Sequence, residues 1–177
     1  DFAPSVDVNN NPANPVINAR SFGDKATAVA WAGGAMLSAM QNAGVLGTVK
    51  HFPGHGDTHV DSHTGLPLVE HDRATVEAVD LYPFRQLIKQ HQPAMVMTAH
   101  IQYPALDNSS LITKSGEAVI KPATLSRAIL TNLLREDMGF DGIIITDALN
   151  MAGISQFFDP ARAVIETFAA GADIALM

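Results

Sequence analysis

The chain has 177 residues, 47% of them hydrophobic, and a formal net charge of −7. That length predicts one domain, that apolar share supports a packed core over disorder, and an acidic chain with no basic cluster excludes a nucleic-acid surface. Without cysteine there is neither a disulfide nor a thiolate zinc site, and no apolar run reaches the ~20 residues needed to span a bilayer.

In chain order, Phe2 to Val8 (FAPSVDV) reads as a short buried strand with Asp7 near its end. An Asn- and Pro-rich loop, Asn9 to Asn18, leads to Arg20-Ser-Phe-Gly-Asp24. Lys25 to Asn42 carries Ala, Met, Leu and Trp31 at helical spacing, weakened by Gly33-Gly34 and stopped by Gly44. Val45 to Val49 predicts a second strand, which opens directly into Lys50-His-Phe-Pro-Gly-His-Gly-Asp-Thr-His-Val-Asp-Ser-His63.

Arg73 to His91 repeats apolar residues every three to four positions and predicts a helix that Pro83 kinks. Pro93 to Ala99 is a third strand, ending at His100, and a long loop runs from Ile101 to Pro122. Pro122 to Asp137 predicts a helix stopped by Gly139. Gly142 to Thr146 is a fourth strand ending at Asp147, Pro160 to Ala170 a helix, and Ala172 to Met177 a fifth strand. A start at Asp1 without Met and an end inside an apolar run read as cut ends, so no signal is visible and the compartment stays open: periplasmic, secreted or cytoplasmic.

Strands that are apolar rather than alternating, each followed by a helix, predict a parallel sheet covered by helices. No GxGxxG or GxxxxGK[ST] is present, which weighs against a nucleotide-binding doubly wound sheet. Polar groups recur at strand ends (Asp7, Lys50-His51, His100, Asp147), and a (β/α)8 TIM barrel gathers all such ends around one mouth. A full barrel takes ~250 residues, so residues 1–177 are expected to form a partial barrel of about five βα units, lacking strands at both ends.

The chemistry concentrates after the second strand. Five of the seven histidines (His51, His55, His59, His63, His71) fall in one Gly- and Asp-rich stretch that no helix stripe explains. Asp147 is either a helix N-cap or a carboxylate at the barrel mouth, usable as nucleophile, base or ligand. Lys50 and His51 suit hydrogen bonding to a hydroxyl-rich or anionic ligand. Asp61 and His63 form a candidate proton-transfer pair, because a carboxylate on one ring nitrogen orients an imidazole and raises its basicity. His55-Gly-Asp57 reads as loop architecture, with Asp57 accepting turn amides. The four-residue spacing of His51, His55, His59 and His63 keeps a metal-dependent hydrolase open, although Pro53, Gly54 and Gly56 argue against the helix that would align them.

Together these segments resemble family-three glycoside hydrolases of the β-N-acetylhexosaminidase branch: FAPSVDVNNNP, ARSFG, KHFPGHGDTHVDSH, DLYPF, MTAHIQYPALD and ITDALNM, in order across nearly the whole chain. The resemblance implies a bacterial enzyme with a (β/α)8 catalytic domain and no cofactor, acting on an N-acetylglucosamine-containing glycan. It implies Asp147 as nucleophile, His63 as acid/base assisted by Asp61, and Arg20, Lys50 and His51 as ligands of the terminal sugar's hydroxyls. A further sugar-binding aspartate of the family would lie upstream of Asp1. ITDALNM, in place of the SDW-type segment of the family's β-glucosidases, favours N-acetylglucosamine over glucose. The implied reaction is retaining hydrolysis of a terminal β-linked N-acetylglucosamine, with phosphorolysis as an alternative. Gly54, Gly56 and Gly65 predict a loop that brings His63 in only with substrate, leaving it far from Asp147 otherwise.

Overall fold

A computed structural model describes residues 1–177. In chain order its elements are α1 (Ala26–Asn42), β1 (Thr48–Phe52), α2 (Arg73–Thr75), α3 (Tyr82–His91), β2 (Met95–Thr98), β3 (Ser110–Ile112), β4 (Ala118–Ile120), a π-helix (Ala128–Asp137), β5 (Ile143–Thr146), α4 (Ala152–Ser155) and α5 (Pro160–Ala170).

β1, β2 and β5 form a parallel sheet in that order, so the three neighbours follow one another along the chain with helices between them. The outermost predicted strands are present as single parallel bridges, Ser5 with Lys50 and Ile145 with Ile174. The architecture is therefore α/β, with five chain-ordered parallel segments. In addition, β3 and β4 form an antiparallel hairpin inside the stretch read from sequence as a loop.

Alternation sets the two faces of the sheet. Val49, Val96 and Ile144 are in register across β1, β2 and β5, and all three are fully buried. They share one core with Leu37 of α1, Phe84 and Leu87 of α3, and Ile129 and Leu130 of the π-helix. Each such side chain contributes about 1.5–3 kcal/mol by leaving water.

Three expectations shift. The second strand lies at Thr48–Phe52, not Val45–Val49, because Gly44 takes a left-handed φ of 78° to end α1 and the chain needs Val45 to Gly47 to turn. Lys50 and His51 therefore sit inside the strand. The 73–91 helix is three pieces: α2, a wide turn over Val76–Asp80, and α3, with Pro83 in the first turn where its missing N–H leaves no bond unmade. Gly33 and Gly34 do not interrupt α1, which runs through them. A Cβ on Gly33 would stand 2.7 Å from Val6, and one on Gly34 2.5 Å from the His91 ring, so these glycines let α1 sit close on the sheet and on α3. Trp31 faces outward, 77% exposed.

Candidate active site

The C-terminal ends of the parallel strands open onto a cavity of about 360 Å³. Its walls include Arg20, Lys50, His51, His55, Ser62, His63 and Asp147, with Met97 from β2 and Leu176 from the C-terminal segment as apolar surface. Arg20, Lys50, His51, His63 and Asp147, which the sequence singled out, thus meet on one hollow; Asp61 stands behind His63 rather than on the wall.

β1 delivers two consecutive side chains to the cavity. A regular strand sends neighbours to opposite faces, but the β1–β2 ladder loses register between Val49 and Phe52, and such an irregularity re-aims side chains. Asp7 then fixes His51. This fully buried carboxylate accepts from His51 N (3.1 Å), His51 Nδ1 (2.8 Å), His55 N (2.8 Å) and Ser5 Oγ (2.7 Å). Burial opposes its charge, but attraction to His51 and the bonds it accepts outweigh burial and hold its carboxyl well below the usual range. With Nδ1 donating to Asp7, His51 Nε2 faces Arg20 Nη2 at 3.4 Å. Asp7 stood out in sequence only as a polar strand end; its part in orienting His51 was not legible there.

Burial lowers the Lys50 ammonium's pKa, and the Arg20 charge lowers it further, against the opposing pull of Asp147 and Asp7. Asp147, at the end of β5, accepts from Ala148 N at 2.9 Å. It caps no helix, since the N-cap of α4 is Met151.

The loop after β1 carries the imidazole. Asp61 Oδ1 accepts from both His63 N (2.8 Å) and His63 Nδ1 (2.7 Å), leaving Nε2 available to a ligand. Partial burial would raise the Asp61 pKa, but these bonds from His63 lower it. Ser62 O accepts from Gly153 N (2.9 Å), which pins the loop to α4. His63 and Asp147 both line this cavity, whereas the glycines predict a loop that holds His63 away from it without substrate.

His55 bridges Thr58 Oγ1 (2.7 Å) and Ser62 Oγ (3.0 Å), and burial lowers its pKa to about 4, so it is neutral at physiological pH. Asp57 does not cap turn amides as expected; its carboxylate meets His71 Nε2 at 3.2 Å. No group of three or more His, Asp or Glu side chains is arranged to hold a metal ion. The spaced histidines diverge, with His51 on Asp7, His55 on Thr58 and Ser62, His59 beside Asn11 and His63 on Asp61.

A cavity lined by one carboxylate, two cations and two carboxylate-backed imidazoles, His51 and His63, brings a nucleophile and a proton donor together. The Glycosyl hydrolase family 3 N terminal domain model matches residues 1–177. Beta-hexosaminidase A of Pseudoalteromonas piscicida is 61% identical over 176 residues, covering 99% of this chain and 29% of that protein. Beta-hexosaminidase LpqI of Mycobacterium tuberculosis (strain ATCC 25618 / H37Rv) is 44% identical over 187 residues, covering 99% of this chain and 43% of LpqI. The chain thus spans less than half the length of these curated relatives. A solved family 3 β-N-acetylglucosaminidase from Paenibacillus sp. str. FPU-7 superposes with a TM-score of 0.92 at 44% identity, over 99% of this chain and 31% of that one.

Proposed function

The chain belongs to glycosyl hydrolase family 3, and from that premise we propose that it is the (β/α)8-type catalytic domain of a retaining exo-β-N-acetylglucosaminidase. The relatives' names support the activity, and one observation carries the mechanism: Asp147 and the Asp61-backed His63 line the same cavity. In the first step Asp147 attacks the anomeric carbon while His63 gives its Nε2 proton to the departing oxygen. The glycosidic C–O bond breaks and a glycosyl–Asp147 ester forms. In the second step neutral His63 takes a proton from water as that oxygen attacks the same carbon, and Asp147 leaves as carboxylate.

Most retaining enzymes use two carboxyl groups for these steps. An imidazole can both give and take a proton around neutrality, which suits a group that must be acid and then base. Arg20, Lys50 and His51 hold the hydroxyls of the terminal sugar. The glycan is a cell-wall peptidoglycan fragment or a chitin-type oligomer. A metal-dependent hydrolase is the weaker reading, because the loop histidines point to separate protein partners.

Trapping with a 2-fluoro glycosyl donor, followed by peptide mass spectrometry, tests the nucleophile. Asp147 is expected to carry the label, and Asp147→Ala to abolish turnover of aryl β-N-acetylglucosaminides; a label elsewhere overturns the assignment. Phosphorolysis is a second reading, favoured by the neutral base and by Arg20 and Lys50 on the cavity wall. Formation of the sugar 1-phosphate in phosphate buffer decides between the two acceptors.

A further inference from the structure

The loop that carries Asp61 and His63 leaves β1 after Phe52 and returns towards α2. Its outgoing limb is well fastened. Gly54 O accepts from Tyr103 Oη (2.7 Å), Asn14 Nδ2 donates to His55 O (2.8 Å) and Gly56 O (3.0 Å), and Asn11 Nδ2 donates to Asp57 O (3.2 Å). The returning limb is fastened elsewhere, through Val69 N to Gln102 O (3.0 Å). His71, at the end of that limb, joins the two. Its Nε2 faces Asp57 Oδ2 on the outgoing limb at 3.2 Å, and its Nδ1 faces Asp80 Oδ2 on the wide turn before α3 at 2.8 Å.

Both partners are carboxylates, which accept and do not donate. A neutral imidazole carries one N–H and satisfies one of them; only the imidazolium serves both. Asp80 is almost wholly buried, with 1% of its side chain exposed, so an unpaired charge there would be costly. We propose that His71 is a positioning residue for proton transfer: held between Asp57 and Asp80, it clasps the base of the loop and thereby sets where His63 stands over the cavity. The inference rests on the proton-transfer reading of His63 given above.

The electrostatics favour the clasp from the His71 side, while burial raises the Asp80 pKa against the hydrogen bond and charge of His71 that lower it. The hydrogen bond to Asp80 raises the His71 pKa; burial opposes it, and the charges of Asp80, Asp57 and the adjacent Asp72 add to the rise. The other titratable group beside the clasp is the Tyr103 phenol, which stays protonated because burial and the Asp80 charge push its pKa up. A His whose pKa is raised on folding holds its contact fully below the unfolded value of ~6.5 and loses it as pH climbs through the folded value. The clasp is thus closed in mild acid and opens on the alkaline side.

The test uses Asp57→Ala, which removes the loop-side carboxylate and leaves the buried His71–Asp80 pair intact, with His71→Gln as the companion. A misplacement of about 1 Å costs on the order of 100-fold in a positioned reaction. Asp57→Ala is expected to lower kcat/KM, which reports only the step that expels the leaving group, by roughly 10–100-fold on a β-N-acetylglucosaminyl disaccharide with a poor leaving group. On a dinitrophenyl glycoside, which needs little acid assistance, the loss should stay within about threefold. Asp57→Asn, which keeps an acceptor oxygen, should recover part of the loss. Equal losses on both substrates, or none, overturn the proposal.

Amide hydrogen exchange of residues 59–65 reads the clasp without reference to the chemistry. Protection in the parent protein should fall as pH rises above ~6.5, faster than intrinsic exchange explains, and be low at every pH in Asp57→Ala. A flat difference between the two proteins overturns the clasp even where Asp147 is labelled by the fluoro sugar. Conversely, absence of that label overturns the catalytic reading and leaves the exchange result to decide the clasp alone.

Discussion

Replacing Asp7 by Asn probes the deepest polar element of the site with the smallest change of shape. Asp7 Oδ1 accepts two backbone amides, those of His51 and His55, and an Asn oxygen can keep both as neutral bonds. Oδ2 accepts Ser5 Oγ and His51 Nδ1, and an amide nitrogen there offers donors to donors. The serine hydroxyl can rotate and accept. The imidazole can accept at Nδ1 only by moving its proton to Nε2, which then points at the Arg20 guanidinium 3.4 Å away. Bonds to a charged group contribute ~1.5–3 kcal/mol and neutral ones ~0.5–1.5. Three bonds drop from the first class to the second, the serine one with its direction reversed, and the one from His51 Nδ1 is lost or inverted, a gross loss of roughly 6 kcal/mol. Relief of the carboxylate's burial offsets part of that, leaving a destabilisation of about 2–4 kcal/mol, large against the ~5–15 kcal/mol of a typical domain. Urea unfolding with an unchanged m-value measures it, and nitrogen-15 shifts of His51 report the tautomer. A loss below about 1 kcal/mol with Nδ1 still protonated would refute the reasoning.

His63→Ala should lower kcat/KM for poor leaving groups by ~100-fold or more while sparing that of activated aryl glycosides, since general acid assistance contributes ~10²–10⁴-fold where it is needed; equal losses in kcat/KM would remove His63 from proton donation. Gly56→Ala should prevent stable folding, because a Cβ there would lie 1.7 Å from Val8 O, backbone against backbone; a thermal melt within a few degrees of the parent's contradicts that packing. Stability should fall as pH drops from ~6.5 towards 4, because buried His55, with its pKa lowered to about 4, binds its proton later than in the unfolded chain. Below ~4 a further loss should follow, because the unfolded chain protonates Asp7 there while the fold, which holds that carboxyl lower, keeps it ionised. Urea midpoints across that range check both, and Asp7→Asn should flatten only the second.

The parallel α/β order was legible because it rests on long apolar runs. MVMT and IIIT become β2 and β5 as the runs suggest, since a strand buried on both faces has no polar alternation to misread. The edges were not legible to the same degree. Val45 and Leu46 are as apolar as the residues that follow, yet both are more than 40% exposed, because the turn after Gly44 consumes them. Hydropathy cannot distinguish an apolar residue in a turn from one in a strand. The β3–β4 hairpin was missed for the opposite reason: its strands are three residues each and half-exposed, too short for any period to register.

For the site, the residue types at strand ends carried the information, and the partners of those residues did not. Lys50, His51 and Asp147 could be picked out because charged groups after buried runs need a reason to be there. Asp7 and His71 do their work by touching residues 44 and 9 positions away, His51 and Asp80, and no local pattern encodes such a meeting. The same distinction explains why Asp57 was misassigned. Beside Gly56, a turn cap is the local solution for a carboxylate, and His71 is the tertiary one. A bond to a charged partner is worth about twice a neutral one, so where the fold brings an imidazolium within reach, the tertiary partner wins. The loop is thereby fastened by side chains that sequence spacing leaves unrelated, and by the close approach of Gly56 to Val8.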